Sequence, residues 1–178
     1  MALVFQEYTR SLMPWLTVEK NVRLPLKHLR LSAEEREERI SSALTAVGLA
    51  GAESKFPWQL SGGMQQRVAI ARAIAYRPEV LVMDEPFASV DAQTRFDLED
   101  LCLRIREQFG MTIVIVTHDI DEAVYLSDRV VVLGERPARV TEIIDIDFGG
   151  PRDQLTTRAL PAFAELRSEI FEQIRRAG

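Results

Sequence analysis

From residue 62 onward the chain alternates between helix-patterned and strand-patterned segments. Helical patterns run over 62–75, 92–108 and 120–126, and strand patterns run over 80–84, 112–117 and 129–133. The segment 112–117 is almost wholly β-branched, which is typical of a strand buried on both faces. Strands separated by helices form parallel sheets. The alternation therefore predicts an α/β fold with a parallel sheet core flanked by helices.

The two ends of the chain add further elements to this pattern. Residues 2–6 read as a strand that begins directly after Met1, and residues 140–148 read as one more strand beside a loop that holds Pro137. Between 160 and 176, apolar residues recur at helical spacing and predict an amphipathic C-terminal helix: Phe163, Leu166, Ile170, Phe171 and Ile174.

A helical region separates the first strand from the alternating part. Ser32 precedes a charged run over 34–39, and Glu35 stands in the capping-box position. Ile40, Leu44 and Val47 then fall on one face of the predicted helix. The charged residues are expected to form a solvated face with i,i+4 ion pairs. We predict a helical subdomain over 11–75, the rest of the core over 76–150, and a C-terminal helical extension over 151–178.

Composition excludes several classes of protein. A net charge of −5 over 178 residues argues against a nucleic-acid partner, because such proteins usually carry a basic face. The apolar runs are far shorter than the ~20 residues that span a bilayer, and the N-terminus does not resemble a signal peptide. We expect a soluble, cytosolic protein in which the single cysteine, Cys102, is inert packing. His28, among basic residues, is expected at the surface.

Two adjacent carboxylates end the predicted strand over 80–84. Ligands gather at the carboxyl ends of parallel strands, so Asp84 and Glu85 are candidates for a site there. Asp84 could hold Mg²⁺ directly or through water, and Glu85 could polarise an attacking water as a general base. The competing interpretation is an acidic helix cap, since Pro86 follows and acidic residues favour helix starts.

A second candidate is the segment that opens the helix at 62. The backbone N–H groups of Gly62 and Gly63 can approach a phosphate closely, and the Ser61 hydroxyl can donate to it. The alternative is a flexible turn with a serine cap. The run Leu60 to Arg67, followed seventeen residues later by Asp84, is more specific than either motif alone.

Two further residues complete the candidate set. His118 follows the strand over 112–117, where an imidazole could contact a terminal phosphate and hold the attacking water, although a histidine there can also be structural. Gln6 ends the first strand, where its amide could reach Mg²⁺ or a phosphate, although a glutamine before a loop is ordinary. Together these residues indicate binding and hydrolysis of a nucleoside triphosphate.

With these motifs, the chain resembles the nucleotide-binding subunit of an ATP-binding cassette (ABC) transporter over essentially its whole length. The matching motifs are the Q-loop at Gln6, the signature motif over 60–65, Walker B over 81–85, the D-loop over 89–91 and the switch histidine at His118. The resemblance implies a P-loop NTPase-like ATPase that uses ATP and Mg²⁺. It also implies that Ser61, Gly62, Gly63 and Gln65 contact ATP in trans, with Asp91 in the D-loop.

Within that family, four segments most resemble importers of nitrate, sulfonates and taurine: 13–18, 56–60, 83–87 and 117–123. The resemblance implies a head-to-tail dimer of ATP-binding subunits on the inner face of the membrane. The helical insert would dock on a membrane permease, and a solute-binding protein would take part indirectly on the other side.

One family motif does not occur, because no Gly-x-x-x-x-Gly-Lys-[Ser/Thr] phosphate loop is found in the 178 residues. We therefore treat the sequence as a partial ABC ATPase domain over 1–178 and expect it neither to bind ATP tightly nor to hydrolyse it alone. A partial domain is also expected to expose sheet edges and an apolar flank, and therefore to be poorly soluble or to associate. Val90 stands where a leucine is common in the D-loop.

Two other functions compete with an importer ATPase. One is a non-hydrolysing module that supplies its signature motif in trans or docks on the permease. The other is a DNA-repair or chromosome-type ATPase, which would carry a long coiled coil or a basic face, and the sequence has neither feature. The identity of the transported solute does not follow from the sequence.

Overall fold

A computed structural model describes residues 1–5, 11–134 and 138–177. It divides into two compact units, Met1–Val116 and Thr117–Gly178, and each unit is described separately. Gln6, the predicted Q-loop residue, lies outside the described residues.

The first unit contains three strands and four α-helices among its described residues. In chain order these are β1 (Ala2–Val4), α1 (Val18–Arg23), a 3₁₀ turn (Leu24–His28), α2 (Ala33–Ala46), a second 3₁₀ turn (Pro57–Gln59), α3 (Gly62–Ala75), β2 (Val80–Asp84), α4 (Ala92–Phe109) and β3 (Thr112–Val116). The strands form a parallel sheet in the order β1-β2-β3, with Leu3 opposite Val82 and Val82 opposite Val114. The predicted parallel sheet flanked by helices is confirmed.

The two faces of this sheet differ in burial. Val4, Leu81 and Met83 are buried on one face, whereas Val114 and Val116 on the other are 44% and 51% exposed. The prediction that 112–117 is buried on both faces is therefore wrong. β-branched residues favour a pleated strand whether or not both faces are covered, and among the described residues β3 pairs only with β2. An apolar flank is exposed, as expected.

Helix α2 begins with the predicted capping box. The Oγ of Ser32 accepts from the N–H of Glu35 at 3.1 Å, and Oε2 of Glu35 accepts from the N–H of Ser32 at 2.8 Å. Ile40, Leu44 and Val47 are buried, as predicted. The ion pairs described for the charged face differ from the expected i,i+4 pattern, because Glu37 and Glu38 reach Arg23 and Arg77 on other segments.

The second unit contains α5 (Ile120–Leu126), β4 (Arg129–Leu133), β5 (Val140–Asp145) and α6 (Pro161–Ala177). β4 pairs with β5 in an antiparallel ribbon, so the expectation that the strand over 129–133 continues a parallel sheet is wrong. A parallel partner needs a crossover of a dozen or more residues, and only six residues separate the two strands. The second strand of the ribbon ends at Asp145, before the predicted end at 148.

Other predictions are also confirmed in the described residues. Phe163 and Ile170 of the amphipathic helix α6 are buried, Cys102 is buried on α4, and His28 is exposed. No helix in the described part of the chain combines the length and the apolar character needed to cross a membrane.

Candidate functional site

The turn after β2 holds one residue in an uncommon backbone conformation. Glu85 has a φ of 44°, in the left-handed region that non-glycine residues rarely adopt. Its N–H donates to the carbonyl of Val116 at 2.8 Å, and its own carbonyl accepts from the N–H of Ala88 at 3.3 Å. Such strain costs about 1–3 kcal/mol and is found mostly at functional sites. The turn leaves Asp84 exposed and Glu85 half-buried.

A buried glutamine on α3 contacts the same turn. Gln66 is fully buried, and its Nε2 donates to the carbonyl of Pro86 at 2.8 Å. Sequence analysis did not single out Gln66. The feature that could have pointed to Gln66 is its position in the sequence, two residues before the apolar run that forms the buried side of α3. The start of α3 and the turn that carries Glu85 are therefore joined directly.

Ser61 caps the N-terminus of α3, as the structural interpretation of that motif predicted. Its Oγ accepts from the N–H of Met64 at 3.3 Å, while Ser61 and Gly62 are exposed. The first N–H groups of a helix have no carbonyl partner within the helix, so those of Gly62 and Gly63 are suited to an anion. Nε2 of Gln65 donates to the carbonyl of Leu60 at 3.3 Å, which closes this turn.

Asp91, the predicted D-loop residue, caps the next helix of the first unit. Asp91 accepts from the N–H of Thr94 through Oδ1 at 3.0 Å and from the Thr94 hydroxyl through Oδ2 at 2.7 Å. The Thr94 hydroxyl first, and then its N–H, lower the pKa of the Asp91 carboxyl below its ordinary value. A Cβ added to Gly63 would lie 2.4 Å from Cγ2 of Thr94, so the starts of α3 and α4 are in contact.

In the second unit, the residues on either side of His118 are fixed by hydrogen bonds. The Thr117 hydroxyl donates to Glu122 at 2.7 Å and accepts from the N–H of Asp119 at 3.0 Å. Asp119 caps α5 by accepting from the N–H groups of Asp121 and Glu122, which confirms its predicted role as a cap. His118 itself is exposed, between two residues whose hydrogen bonds hold the backbone in place.

The loop before α1 is fastened by two polar residues that sequence analysis missed. Asn21 is fully buried, accepts from the N–H of Met13 at 2.8 Å, and donates to the carbonyls of Met13, Leu16 and Thr17. Arg72 donates to the carbonyl and hydroxyl of Ser11, and burial lowers the pKa of its guanidinium. Trp15, carried by this loop, is 69% exposed.

The donor set in the first unit suits a magnesium ion held together with a nucleotide. Among the residues that the structure describes, no three or more His, Cys, Asp or Glu side chains are grouped so that they could hold a metal alone. Mg²⁺ usually binds one or two carboxylates together with substrate phosphates. The exposed carboxylate of Asp84 fits that role and does not fit a metal cage made only of protein ligands.

Comparison with known proteins relates this geometry to one family. Residues 1–88 match the family model described as ABC transporter. The chain is 51% identical over 169 residues to the uncharacterized ABC transporter ATP-binding protein MJ0412 of Methanocaldococcus jannaschii, covering 95% of this chain and 61% of that protein.

Two further relatives are named for import. The nitrate import ATP-binding protein NrtD of Synechococcus elongatus is 44% identical, with 96% of this chain and 62% of that protein covered. The aliphatic sulfonates import ATP-binding protein SsuB 2 of Pseudomonas syringae pv. tomato is also 44% identical, with 99% of this chain and 72% of that protein covered. The chain thus spans 61% to 72% of the length of these three relatives.

A solved structure has the same fold. CbiO1 of Clostridium perfringens, described as part of the ABC transporter complex cbiONQ, superposes with a TM-score of 0.69 at 32% identity. The match covers 73% of this chain and 51% of that one.

Proposed function

We propose that this chain, which belongs to the family of ABC transporter ATP-binding proteins, couples ATP hydrolysis to the import of a small solute through a membrane permease. Support comes from its 44% identity to proteins named for nitrate import and for aliphatic sulfonate import. Solutes of the nitrate, sulfonate and taurine type are the candidates. ATP and Mg²⁺ are the substrate and cofactor that the family implies.

The observation that carries the proposal is the strained turn at Glu85. Hydrogen bonds to its N–H and to its carbonyl hold the Glu85 backbone at a φ of 44°. A carboxylate on a backbone fixed in this way suits a general base that must be aimed at one water molecule. Asp84, exposed at the end of β2, would hold Mg²⁺ together with the phosphates. When bound, Mg²⁺ would neutralise negative charge on those phosphates.

The start of α3 would serve a second nucleotide. In a head-to-tail dimer with another ATP-binding subunit, Ser61, Gly62, Gly63 and Gln65 would face the ATP held by the partner. The exposed first turn of α3 offers N–H groups that no helix carbonyl can reach and a helix dipole of suitable sign for phosphate. Asp91 would support this interface from the D-loop, and His118 would contact the terminal phosphate. Gln6 would reach Mg²⁺ or water.

The loop before α1 would dock on the permease. Asn21 and Arg72 hold that loop in one conformation, and Trp15 presents a large exposed apolar surface on it. Residues 11–75 would then form the docking subdomain, 76–150 the rest of the ATPase core and 151–178 a C-terminal extension. The chain would act at the inner face of the membrane, linked to a solute-binding protein only through the permease and without a nucleic-acid partner.

A second candidate function is a non-hydrolysing module that lends its signature motif to a complete partner or docks on the permease. The observation that favours it is the exposed first turn of α3, whose N–H groups are open to a nucleotide held by another subunit. Adding the chain to an intact homologous ATP-binding subunit separates the two functions. Stimulated turnover that survives Glu85→Gln in this chain supports the module.

The test of the leading function is ATP hydrolysis by the assembled transporter that contains this chain. Glu85→Gln is expected to lower kcat by about 10²-fold or more, because general-base catalysis is lost. Glu107→Gln, on an exposed position of α4, is the matched control and should leave kcat within about twofold. Full turnover by the Glu85→Gln transporter would reject the proposed role of this carboxylate.

A further inference from the structure

Gln66 is a polar side chain in a buried part of α3. It is fully buried, and Val68, Ala69 and Ile70 shortly after it are buried apolar residues. Its Nε2 is bonded to the carbonyl of Pro86, whereas its Oε1 is buried without a hydrogen-bond partner in the described part of the chain. A half-satisfied buried amide destabilises a core relative to an apolar residue of the same shape. A role in the site would explain a glutamine at this position.

The contact of Gln66 falls on the strained turn of the site. Three successive backbone groups are held there: the N–H of Glu85 by Val116, the carbonyl of Glu85 by Ala88, and the carbonyl of Pro86 by Gln66. The third bond comes from a side chain of a different element. Since a left-handed glutamate persists only when its surroundings hold it, each of these bonds helps to keep Glu85 at its φ of 44°.

The other end of the link is the signature motif. Gln66 lies one helical turn after Gly62 and Gly63, on the same rigid helix. We propose that Gln66 is a positioning residue that joins the turn carrying Glu85 to the start of α3. This inference rests on the proposed function: Glu85 serves the nucleotide of its own subunit and the start of α3 serves that of the partner. Gln66 then couples the two ATP sites of the dimer.

The buried hydrogen bond to the Pro86 carbonyl requires an uncharged donor on a side chain as long as that of glutamine. Gln66→Met keeps the shape and removes the donor, while Gln66→Asn keeps the amide but is one methylene too short to reach Pro86. In both variants, the turn that carries Glu85 is expected to lose this hydrogen bond and to become more mobile. Gln108→Met, at an exposed position of α4, repeats the same change of side chain away from the contact and is the matched control.

The first experiment needs no hydrolysis. Amide hydrogen exchange is measured for Glu85 and Ala88, whose N–H groups bond to Val116 and to Glu85. In Gln66→Met and Gln66→Asn, the amides of Glu85 and Ala88 should exchange about tenfold faster, while amides in the buried middle of α4 keep their wild-type rates. In the Gln108→Met control, all of these amides should exchange at their wild-type rates. Unchanged exchange at Glu85 and Ala88 in both variants would overturn the proposal.

The second experiment measures ATP hydrolysis by the assembled transporter. Gln66→Met should lower kcat about tenfold and leave the KM for ATP within about twofold, because the general base is misplaced while nucleotide binding is kept. A kcat equal to that of Gln108→Met would contradict the positioning role. Glu85→Gln is measured alongside: if it has no effect, the proposed function fails, and the exchange experiment still decides whether Gln66 positions the turn.

Discussion

Gly63, at the start of α3, lies against Thr94 in the first turn of α4, so closely that a Cβ on the glycine would stand 2.4 Å from Cγ2 of the threonine. Thr94 is held in place because its hydroxyl donates to Asp91 at 2.7 Å and rotation about χ1 would break that bond. The contact therefore sets the distance between the signature motif and the D-loop, and it excludes any side chain at position 63.

The first prediction concerns this contact. Gly63→Ala should lower the free energy of unfolding by about 1 kcal/mol or more, because the overpacking exceeds the gain in helix propensity. Thr94→Ser removes Cγ2 and keeps the hydroxyl, so Gly63→Ala should become neutral or stabilising in that background. Urea denaturation of the four proteins of this double-mutant cycle gives the coupling energy, expected at about 1–2 kcal/mol.

Gly150→Ala supplies the control for that cycle. A Cβ at Gly150 meets no atom within 4 Å, so the effect of this substitution should be the same in the wild-type chain and in the Thr94→Ser variant. Additive effects of Gly63→Ala and Thr94→Ser would mean that the two side chains do not compete for space.

The second prediction concerns the pKa of Asp91. The Thr94 hydroxyl and N–H hold it below the ordinary value of 3.8. Thr94→Val keeps the shape and the N–H but removes the hydroxyl, so the pKa of Asp91 should rise toward that value. Carboxyl ¹³C chemical shifts followed through an acid titration measure it.

The sign of the pH dependence follows from the depressed pKa. In the wild type, the contribution of Asp91 to stability is fully present above its unfolded pKa and is lost as pH falls through the lower, folded pKa. The acid-dependent loss of stability should be smaller in Thr94→Val. Asp153 is the internal control, since its pKa is lowered by the N–H and hydroxyl of Thr156 and by the N–H of Leu155. An unchanged Asp91 pKa in Thr94→Val would exclude the hydroxyl as its cause.

The third prediction separates stability from activity at Glu85. Glycine tolerates a φ of 44°, so Glu85→Gly should raise the free energy of unfolding by up to about 1 kcal/mol while it abolishes ATP hydrolysis. Arg77 is the matched control, because it has a φ of 53° and its ion pair with Glu38 is largely exposed.

Arg77→Gly should therefore stabilise the chain by a similar amount and leave turnover unchanged. Thermal unfolding of the two variant chains and ATP hydrolysis by the assembled transporters that contain them are compared directly. Destabilisation by both substitutions would show that neither left-handed residue stores strain.

Local patterns in the sequence predicted most of the first unit and the start of the first helix in the second unit. Ser32 with Glu35, Ser61 before two glycines, and Asp119 after a β-branched strand each specify a helix start through nearby atoms, and each was found as a cap. The strand over 80–84 was likewise found with its predicted ends. These signals depend on residues within a few positions of one another, so the sequence carries them directly.

Contacts between distant segments could not be predicted in the same way. Gln66 reaches Pro86 twenty positions later, and Gly63 touches Thr94, yet neither pair has a periodicity or motif that links its members. The buried side chain of Asn21 accepts a hydrogen bond from the N–H of Met13, but in the sequence Asn21 is only one polar position of a predicted helix. The antiparallel pairing of β4 with β5 was missed because strand pattern alone does not set strand direction.

We expect the start of α3 to contact the terminal phosphate of the ATP held by the partner subunit. The direct test places a cysteine there, Ser61→Cys with Cys102→Ala, in the assembled transporter and treats it with an ATP analogue that carries a thiol-reactive group on its γ-phosphate. Ser54→Cys, at another exposed position of the same unit, is the matched control.

If the start of α3 contacts that phosphate, Ser61→Cys should be labelled rapidly and unmodified ATP should block the labelling, whereas Ser54→Cys should be labelled slowly and ATP should have no effect. Equal, ATP-insensitive labelling of the two cysteines would contradict it.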